Sequence, residues 1–288
     1  MHRECVLTNT IRTIPPTAPG DEMILPLTRW LAVAVIPFLL AAFIILYLFP
    51  ATTARFFAWE IASPLTAALM GAGYLGGAYF FGRVPAARRW HHVGGGFPPV
   101  AVFTAVMLAT TLLHWDTFDP GHWPFLVWLT LYIATPVLVT LAWRRNRPRD
   151  PLTPAPGDVL LPAAAGVVLA AAGGLLLAGA VFLFAQPAAA IAWWPWPLTP
   201  LTARVLAGWL ALLGAGALAL RGERRWSAWR IPLQSILLWQ ALLVVAFGLR
   251  RDAFGPGGAL NWFTLFTTAG LLVAAVFYLT MERRRRDK

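Results

Sequence analysis

The chain has 288 residues, of which 59% are hydrophobic and 12% are charged, and its formal net charge is +11. Soluble domains carry roughly 25% charged residues, so this composition excludes an ordinary soluble fold. The apolar residues form long blocks, and a block of about 20 residues crosses the hydrocarbon layer as a helix. Strands of an outer-membrane barrel would alternate polar and apolar residues, and the sequence has no such alternation. It therefore predicts an all-α, multi-pass membrane protein whose first partner is the lipid bilayer.

Arginine supplies nearly all of the positive charge, because Lys288 is the only lysine. An excess of Arg, Ala, Pro and Gly is typical of a G+C-rich bacterial genome, which favours a bacterial inner membrane as the location. The placement of the arginines in loops explains the charge better than nucleic-acid binding does. Cys5 is the only cysteine, so one chain cannot form an internal disulfide, a cysteine zinc site or an iron–sulfur cluster.

The first 28 residues are polar and contain several prolines, and they predict a flexible cytoplasmic arm over 1–28. Met23, just before the first apolar block, is an alternative start. Eight apolar blocks follow, and each predicts a transmembrane helix. The first block is too long for the core of a signal peptide and lacks a small-residue cleavage site. The predicted helices cover about residues 30–49, 61–81, 98–114, 124–143, 160–184, 200–220, 231–249 and 262–280.

The loops predict the orientation of the chain. In helical membrane proteins, Arg and Lys concentrate in the short cytoplasmic loops. Only Arg55, Arg204, Arg250 and Arg251 follow the odd-numbered helices, whereas sixteen basic residues follow the even-numbered ones. Those sixteen are Arg83, Arg88, Arg89, Arg144, Arg145, Arg147, Arg149, Arg221, Arg224, Arg225, Arg230, Arg283, Arg284, Arg285, Arg286 and Lys288. Both termini are therefore predicted to lie in the cytoplasm.

Four pairs of short segments recur in the same order and indicate an internal duplication. Two pairs, which read Asp-x-Phe-x-Pro-Gly and Arg-Arg-Trp, share an offset of 136 residues, and two weaker pairs have offsets of 143 and 149. The matched segments are 114–121 with 250–257, 88–90 with 224–226, 69–73 with 212–216, and 53–55 with 202–204. Each copy contains four predicted helices.

The duplication divides the chain into parts. The predicted repeats cover residues 29–143 and 160–280, with an Arg- and Pro-rich cytoplasmic linker at 144–159 and a basic cytoplasmic tail at 281–288. Because four is an even number, both repeats have the same orientation. Two such repeats are related by an axis along the membrane normal, as in parallel-repeat transporters. The predicted architecture is thus two tandem four-helix repeats with parallel orientation.

Polar residues at the outer helix ends are the candidates for a binding site, because charge near lipid is costly unless it is paired or faces a cavity. In a functional interpretation, two arginines hold an anionic group while carboxylates handle protons or cations. In a structural interpretation, the aspartates cap their turns, and the arginines pair with them or reach the interface. The candidate ligand-binding residues are Arg55, Glu60, His114, Asp116, Arg204 and Asp252.

No other motif indicates chemistry. Haem requires axial ligands inside a bundle, and no two histidines are placed at matching depth on two helices. His114, Asp116 and His122 could surround a metal ion, but the second copy has Arg250 and Gly258 in place of the histidines. The sequence therefore predicts no metal, no cofactor and no catalytic residue, and it leans against an enzyme.

Three function classes stay open. The first is a protein that binds or transports a small solute or lipid at the interface of the two repeats. The second is a membrane scaffold or assembly protein without a ligand, which would have a protein partner or form a homo-oligomer. The third is a membrane-embedded enzyme acting on a lipid-linked substrate. A cavity between the repeats that reaches Glu60 would favour transport, and a sealed, Trp-lined interface would favour a scaffold.

Overall fold

The computed structural model describes residues 23–254 and 261–288, which form helices and no strand. All but the last six residues of the predicted arm over 1–28 lie outside this part. Eight helices of 17 residues or more account for most of the described chain, and we name them in chain order. They are α1 (Pro26–Phe43), α2 (Pro64–Ala86), α3 (Phe97–Leu113), α4 (Trp123–Asn146), α5 (Ala163–Ala185), α6 (Pro200–Leu220), α7 (Trp226–Leu249) and α8 (Trp262–Arg286). A π-helical turn, Ile44–Leu48, continues α1.

Seven helical segments of the described chain are long and apolar enough to cross a membrane. They are Pro26–Leu48, His91–Leu113, Trp123–Arg149, Ala163–Ala185, Pro200–Leu220, Trp226–Leu249 and Trp262–Arg286. The prediction of an all-helical, multi-pass membrane protein is therefore confirmed. Helix α2 has sufficient length at 23 residues but is not among the seven.

Helix α2 is the most enclosed of the long helices. Fifteen of its 23 residues are buried, whereas only three of the 25 residues of α8 are. Small residues and tyrosines replace large apolar ones along α2, because protein rather than lipid surrounds most of this helix. The lower hydropathy of α2 therefore reflects its place inside the bundle.

The helices pack as four sequential pairs that are joined through the centre. Helix α1 packs on α2, α3 on α4, α5 on α6, and α7 on α8. The first and second halves of the chain meet where α2 packs on α7 and where α3 packs on α6. Helices α2, α3, α6 and α7 consequently form the inner group.

Helices α2 and α6 begin with the same local structure. The Ser63 side chain accepts a hydrogen bond from the Thr66 amide, and the Thr199 side chain accepts one from the Thr202 amide. A proline follows each cap, which suits the first turn of a helix. The predicted start of α2 at Ile61 is three residues too early, because hydropathy does not register the cap.

Helix α7 begins at Trp226, five residues before the predicted start. The prediction from hydropathy starts the helix after Arg230, because a charged residue interrupts the apolar block. In the structure, Arg230 Nε lies 3.0 Å from Glu282 Oε1 of α8. This ion pair compensates the charge and allows the helix to extend beyond the apolar block.

Trp209 of α6 stands where the four inner helices meet. Its ring centre lies 4.4 Å from that of Phe103 on α3, 5.1 Å from that of Trp239 on α7, and 5.2 Å from that of Tyr74 on α2. The closest approach is at Gly73 of α2, where an added Cβ would lie 2.4 Å from the Cζ3 atom of Trp209. Only a residue without a Cβ fits there.

We expect Gly73→Ala to destabilise the protein, because the new methyl group must displace a ring that contacts three helices. Overpacking of this kind costs about 1–3 kcal/mol, which thermal unfolding in detergent would detect as a lower Tm. Gly82→Ala is the matched control, because it lies on the same helix and nothing lies within 4 Å of its added Cβ. Equal Tm values for the two variants would show that Trp209 moves freely.

Candidate functional site

The structure brings together two of the six candidate residues, His114 and Arg204. His114 follows the last residue of α3, and Arg204 lies in the second turn of α6. Their Nε2 and Nη1 atoms are 2.8 Å apart. Because a guanidinium only donates, His114 Nε2 must accept, and the histidine is neutral in this contact. Burial lowers the pKa of His114, and Arg204 lowers it further.

Arg204 also closes the end of a neighbouring helix. Its Nε atom donates to the Phe184 carbonyl oxygen, 3.0 Å away, in the last turn of α5. A cation near the last carbonyls of a helix is favourable, because these groups lack partners within the helix. Arg250 makes a comparable bond to the Tyr47 carbonyl at the end of the π-helical turn. Two of the three guanidinium nitrogens of Arg204 are thus engaged with protein groups.

The other four candidates do not join this pair. Arg55 is exposed in the short helix Thr53–Phe56, with its guanidinium 4.9 Å from the Phe56 ring centre. Glu60, Asp116 and Asp252 are also exposed. Within residues 23–254 and 261–288, no salt bridge connects any of the six. The expected pairing of arginines with aspartates is therefore not formed there.

Arg55 and Arg204 are not in equivalent places, contrary to the expectation from the sequence. Arg55 precedes the Ser63 cap of α2, whereas Arg204 follows the Thr199 cap of α6. The two Thr-Ala-Arg segments therefore occupy different places relative to the helix caps.

Asp116 and Asp252, in contrast, lie in turns with nearly the same backbone. Each turn follows a helix whose C-cap residue has φ and ψ near −120° and 30°, namely −120° and 30° at His114 and −121° and 33° at Arg250. Each then forms a single 3₁₀ turn before an aromatic residue, Phe118 or Phe254. The Pro-Gly part of the second turn lies outside the described residues.

A cavity of about 910 Å³ lies between the helices, and residues from all eight long helices line it. Its lining is almost entirely apolar and aromatic, and no charged side chain of the described chain takes part. None of the six candidate residues lines it, although Phe56, Phe57 and Ala58 do. The cavity therefore approaches the outer charges without reaching Glu60.

Three aromatic side chains with polar atoms stand out in this apolar lining, beside Gln240, whose buried Oε1 atom has no hydrogen-bond partner in the described structure. The hydroxyls of Tyr74 and Tyr132 are 2.8 Å apart and both rings line the cavity. Trp209 also lines it, and its Nε1 atom is buried without a hydrogen-bond partner in the described structure. An unsatisfied buried donor costs about 1–3 kcal/mol, so a ligand that accepts this bond would gain affinity.

The sequence prediction missed these three residues, although a signal was present. Tyrosine and tryptophan in membrane proteins concentrate at the two interfaces, where their polar ends reach water. Tyr74, Tyr132 and Trp209 instead fall near the middle of their helices. A polar-tipped aromatic residue at mid-depth indicates a partner inside the protein.

A buried charge cluster lies at the opposite, Arg-rich end of the bundle. Arg225, whose side chain is 3% exposed, donates to both carboxylate oxygens of Asp150 at 2.7 and 2.8 Å and to Glu223. Burial raises the pKa of Asp150, but the bonds to Arg225 outweigh it and hold that pKa below its ordinary value. The cluster ties the linker after α4 to the start of α7.

Ser227, His91 and Asp158 meet beside this cluster without forming a catalytic triad. The Ser227 hydroxyl donates to Asp158 and lies 3.1 Å from His91 Nε2. In a triad, the histidine stands between the serine and the carboxylate, whereas here the serine stands between the other two. Asp158 also accepts a bond from the Ser227 amide in the first turn of α7, so the arrangement anchors that helix.

Metal binding finds no support in the described residues, which contain no group of three or more His, Cys, Asp or Glu side chains that could hold an ion. No protein-family model matches the chain, and neither does a curated protein or a solved structure. Any functional conclusion therefore rests on the geometry alone.

The His114–Arg204 contact predicts a pH dependence of stability. His114 has a lowered pKa in the folded protein, so below about pH 6.5 the unfolded chain binds more protons at this residue. Stability from this contact is therefore complete near neutral pH and decreases as the pH falls. We expect Tm in detergent to decrease less between about pH 7 and pH 5 for His114→Gln than for the wild type, because glutamine can accept from Arg204 without titrating. Parallel curves for the two proteins would contradict this prediction.

Proposed function

We propose that the chain crosses the membrane eight times as two four-helix repeats and binds an uncharged, lipid-like molecule in the cavity between them. The observation that carries the proposal is the cavity of about 910 Å³, with an apolar lining drawn from all eight long helices. Buried charge is expensive without a partner, so a ligand held there is neutral. The alternatives of a small polar solute and a charged headgroup are disfavoured for the same reason.

The length and position of α2 support an eighth crossing. A helix of 23 residues spans about 34 Å at 1.5 Å per residue, which exceeds the hydrocarbon layer of roughly 30 Å. Its neighbours α1 and α7 are both among the apolar segments long enough to cross. A helix enclosed by such neighbours needs little hydropathy of its own.

The packing pattern supports the two repeats. Each helix of the first half can be exchanged with the helix four places later, so that α1 corresponds to α5 and α4 to α8. Under this exchange, the four sequential pairs map onto one another, and the α2–α7 contact maps onto the α3–α6 contact. The Ser63 and Thr199 caps and the two 3₁₀ turns are 136 residues apart.

Contacts between equivalent positions give further support. Positions related by a twofold axis touch each other only where they lie on that axis. His91 and Ser227 are 136 residues apart and are hydrogen-bonded. Gly73 and Trp209 are also 136 apart and are in van der Waals contact. This register replaces the match of 69–73 with 212–216, whose offset is 143. These two contacts trace an axis from the Arg-rich end to the middle of the bundle.

A scaffold without a ligand is the second candidate, and one observation favours it. The outer end carries two packed aromatic clusters: Trp59 contacts Phe118 and Trp128, and Trp196 contacts Phe254. A sealed outer end agrees with a protein that does not pass a polar solute. It agrees equally with a lipid-like ligand that enters from the bilayer.

The topology is tested with single cysteines introduced into a Cys5→Ser protein. Ala51, Thr117 and Thr153 are exposed loop positions after α1, α3 and α4. If α2 crosses, Ala51→Cys and Thr117→Cys react with an impermeant thiol reagent in intact cells, and Thr153→Cys reacts only in opened membranes. If α2 does not cross, the cysteines at 51 and 117 label from opposite sides.

The ligand is tested by native mass spectrometry of the full-length protein purified in a mild detergent. We expect the wild type to retain a neutral lipid and Ala217→Phe, which fills part of the cavity lining, to retain roughly tenfold less. Ala219→Phe is the control, because Ala219 is exposed on the same helix. Equal retention by both variants would locate the lipid elsewhere, and no lipid in the wild type would favour the scaffold.

A further inference from the structure

We propose that the Nε1 group of Trp209 donates a hydrogen bond to a carbonyl oxygen of the ligand at mid-membrane depth, so that the cavity selects neutral lipids that carry a carbonyl group. This inference rests on the proposed function and names the ligand class of the same cavity. The inference is based on Trp209, whose side chain lines the cavity and is only 5% exposed. Its Nε1 donor has no hydrogen-bond partner in the described structure.

The depth of Trp209 makes the missing partner significant. Trp209 is the tenth of the 21 residues of α6, which places it about 15 Å from either end of the helix. Water at this depth is scarce, and backbone acceptors are engaged within the helices. Among the described residues, the lining holds one buried, unpartnered side-chain acceptor, Gln240 Oε1 of α7, and no hydrogen bond joins it to Trp209. The acceptor for Trp209 therefore arrives with the molecule that fills the cavity.

A second donor faces the same space. Two hydroxyls joined by one hydrogen bond have two protons and use one, so the Tyr74–Tyr132 pair keeps one proton free. Neither hydroxyl makes another hydrogen bond to the described chain. The Tyr74 ring packs edge-on against the Trp209 ring at 5.2 Å, so both donors belong to one wall. A wall that offers donors recognises an acceptor oxygen.

The rest of that wall restricts the ligand further. Phe103, Trp128 and Trp239 line the cavity beside these donors, and aromatic faces favour flat or apolar partners. Without a charged side chain in the lining, a carboxylate or a phosphate would have no counter-ion. The chemistry that remains is an uncharged oxygen acceptor on a long apolar chain, and a carbonyl oxygen is such an acceptor. A prenylated quinone and a neutral acylglycerol ester both present it.

The structure offers a matched control for the role of the donor. Trp59 also has a buried Nε1 without a partner in the described residues, but it does not line the cavity. Trp59→Phe and Trp209→Phe therefore remove the same group and nearly the same volume at two sites. Only Trp209→Phe changes a residue of the cavity lining.

The experiment measures the binding of three probes to the full-length protein in detergent by titration calorimetry. The probes are an alkyl-substituted benzoquinone, a monoacylglycerol and an alkylbenzene of the same chain length without oxygen. We expect Trp209→Phe to weaken binding of a carbonyl probe about tenfold and to leave the alkylbenzene unchanged. Trp59→Phe should change none of them. The carbonyl probe that binds more tightly identifies the source of the carbonyl.

Each other outcome is decisive. Equal weakening of all three probes would show that the ring acts by shape and would overturn the hydrogen bond, while the cavity would stand. A wild type that binds none of the probes would overturn the proposed function itself. If Trp209→Phe does not fold, infrared spectroscopy of an isotope-labelled ester bound to the wild type replaces the comparison. A carbonyl stretch at lower frequency than that of the ester in detergent alone supports the hydrogen bond. An unshifted band overturns it.

Discussion

The architecture depends on the contact between Trp209 and Gly73. One indole ring reaches three other inner helices at a single level, and it does so because α2 presents a backbone without a side chain at that level. This constraint explains why α2 is built from small residues and tyrosines and why its hydropathy is low. Gly76 and Gly77, which follow Gly73 along α2, line the cavity together with Trp209.

The surroundings of the charged side chains change along the long axis of the helix bundle. At the Arg-rich end, Arg225 is buried with two carboxylates that compensate it. At the opposite end of the bundle, Arg204 satisfies a helix carbonyl and His114. Between these levels, the cavity is lined by uncharged side chains of the described structure. The charges named here thus lie at helix ends, and the cavity lining of the described structure carries none. A site in which two arginines hold an anion therefore fits this geometry poorly.

Hydropathy and charge were sufficient to predict the class of fold and most helices, because both act locally along the chain. Local sequence signals did not predict features that depend on a residue far away in the chain. Helix α7 extends over Arg230 because Glu282, 52 residues later, compensates the charge. The hydroxyl pair of Tyr74 and Tyr132 depends on how α2 faces α4, which no spacing in the sequence encodes. The Thr-Ala-Arg match led to the expectation that Arg55 and Arg204 are equivalent, because a similarity of three residues carries no information about where the helix caps lie.

The proposed duplication also accounts for the presence of one tryptophan, and not two, at this level of the cavity. If positions 73 and 209 are equivalent and meet on the twofold axis, they compete for the same space. Two tryptophans would collide there, and two glycines would leave a void that destabilises the core. One tryptophan opposite one glycine is the combination that fills the space, so divergence between the copies is required at this position. A bundle built from two repeats thereby acquires an indole donor that has no counterpart at the equivalent position of the other repeat, where a glycine stands.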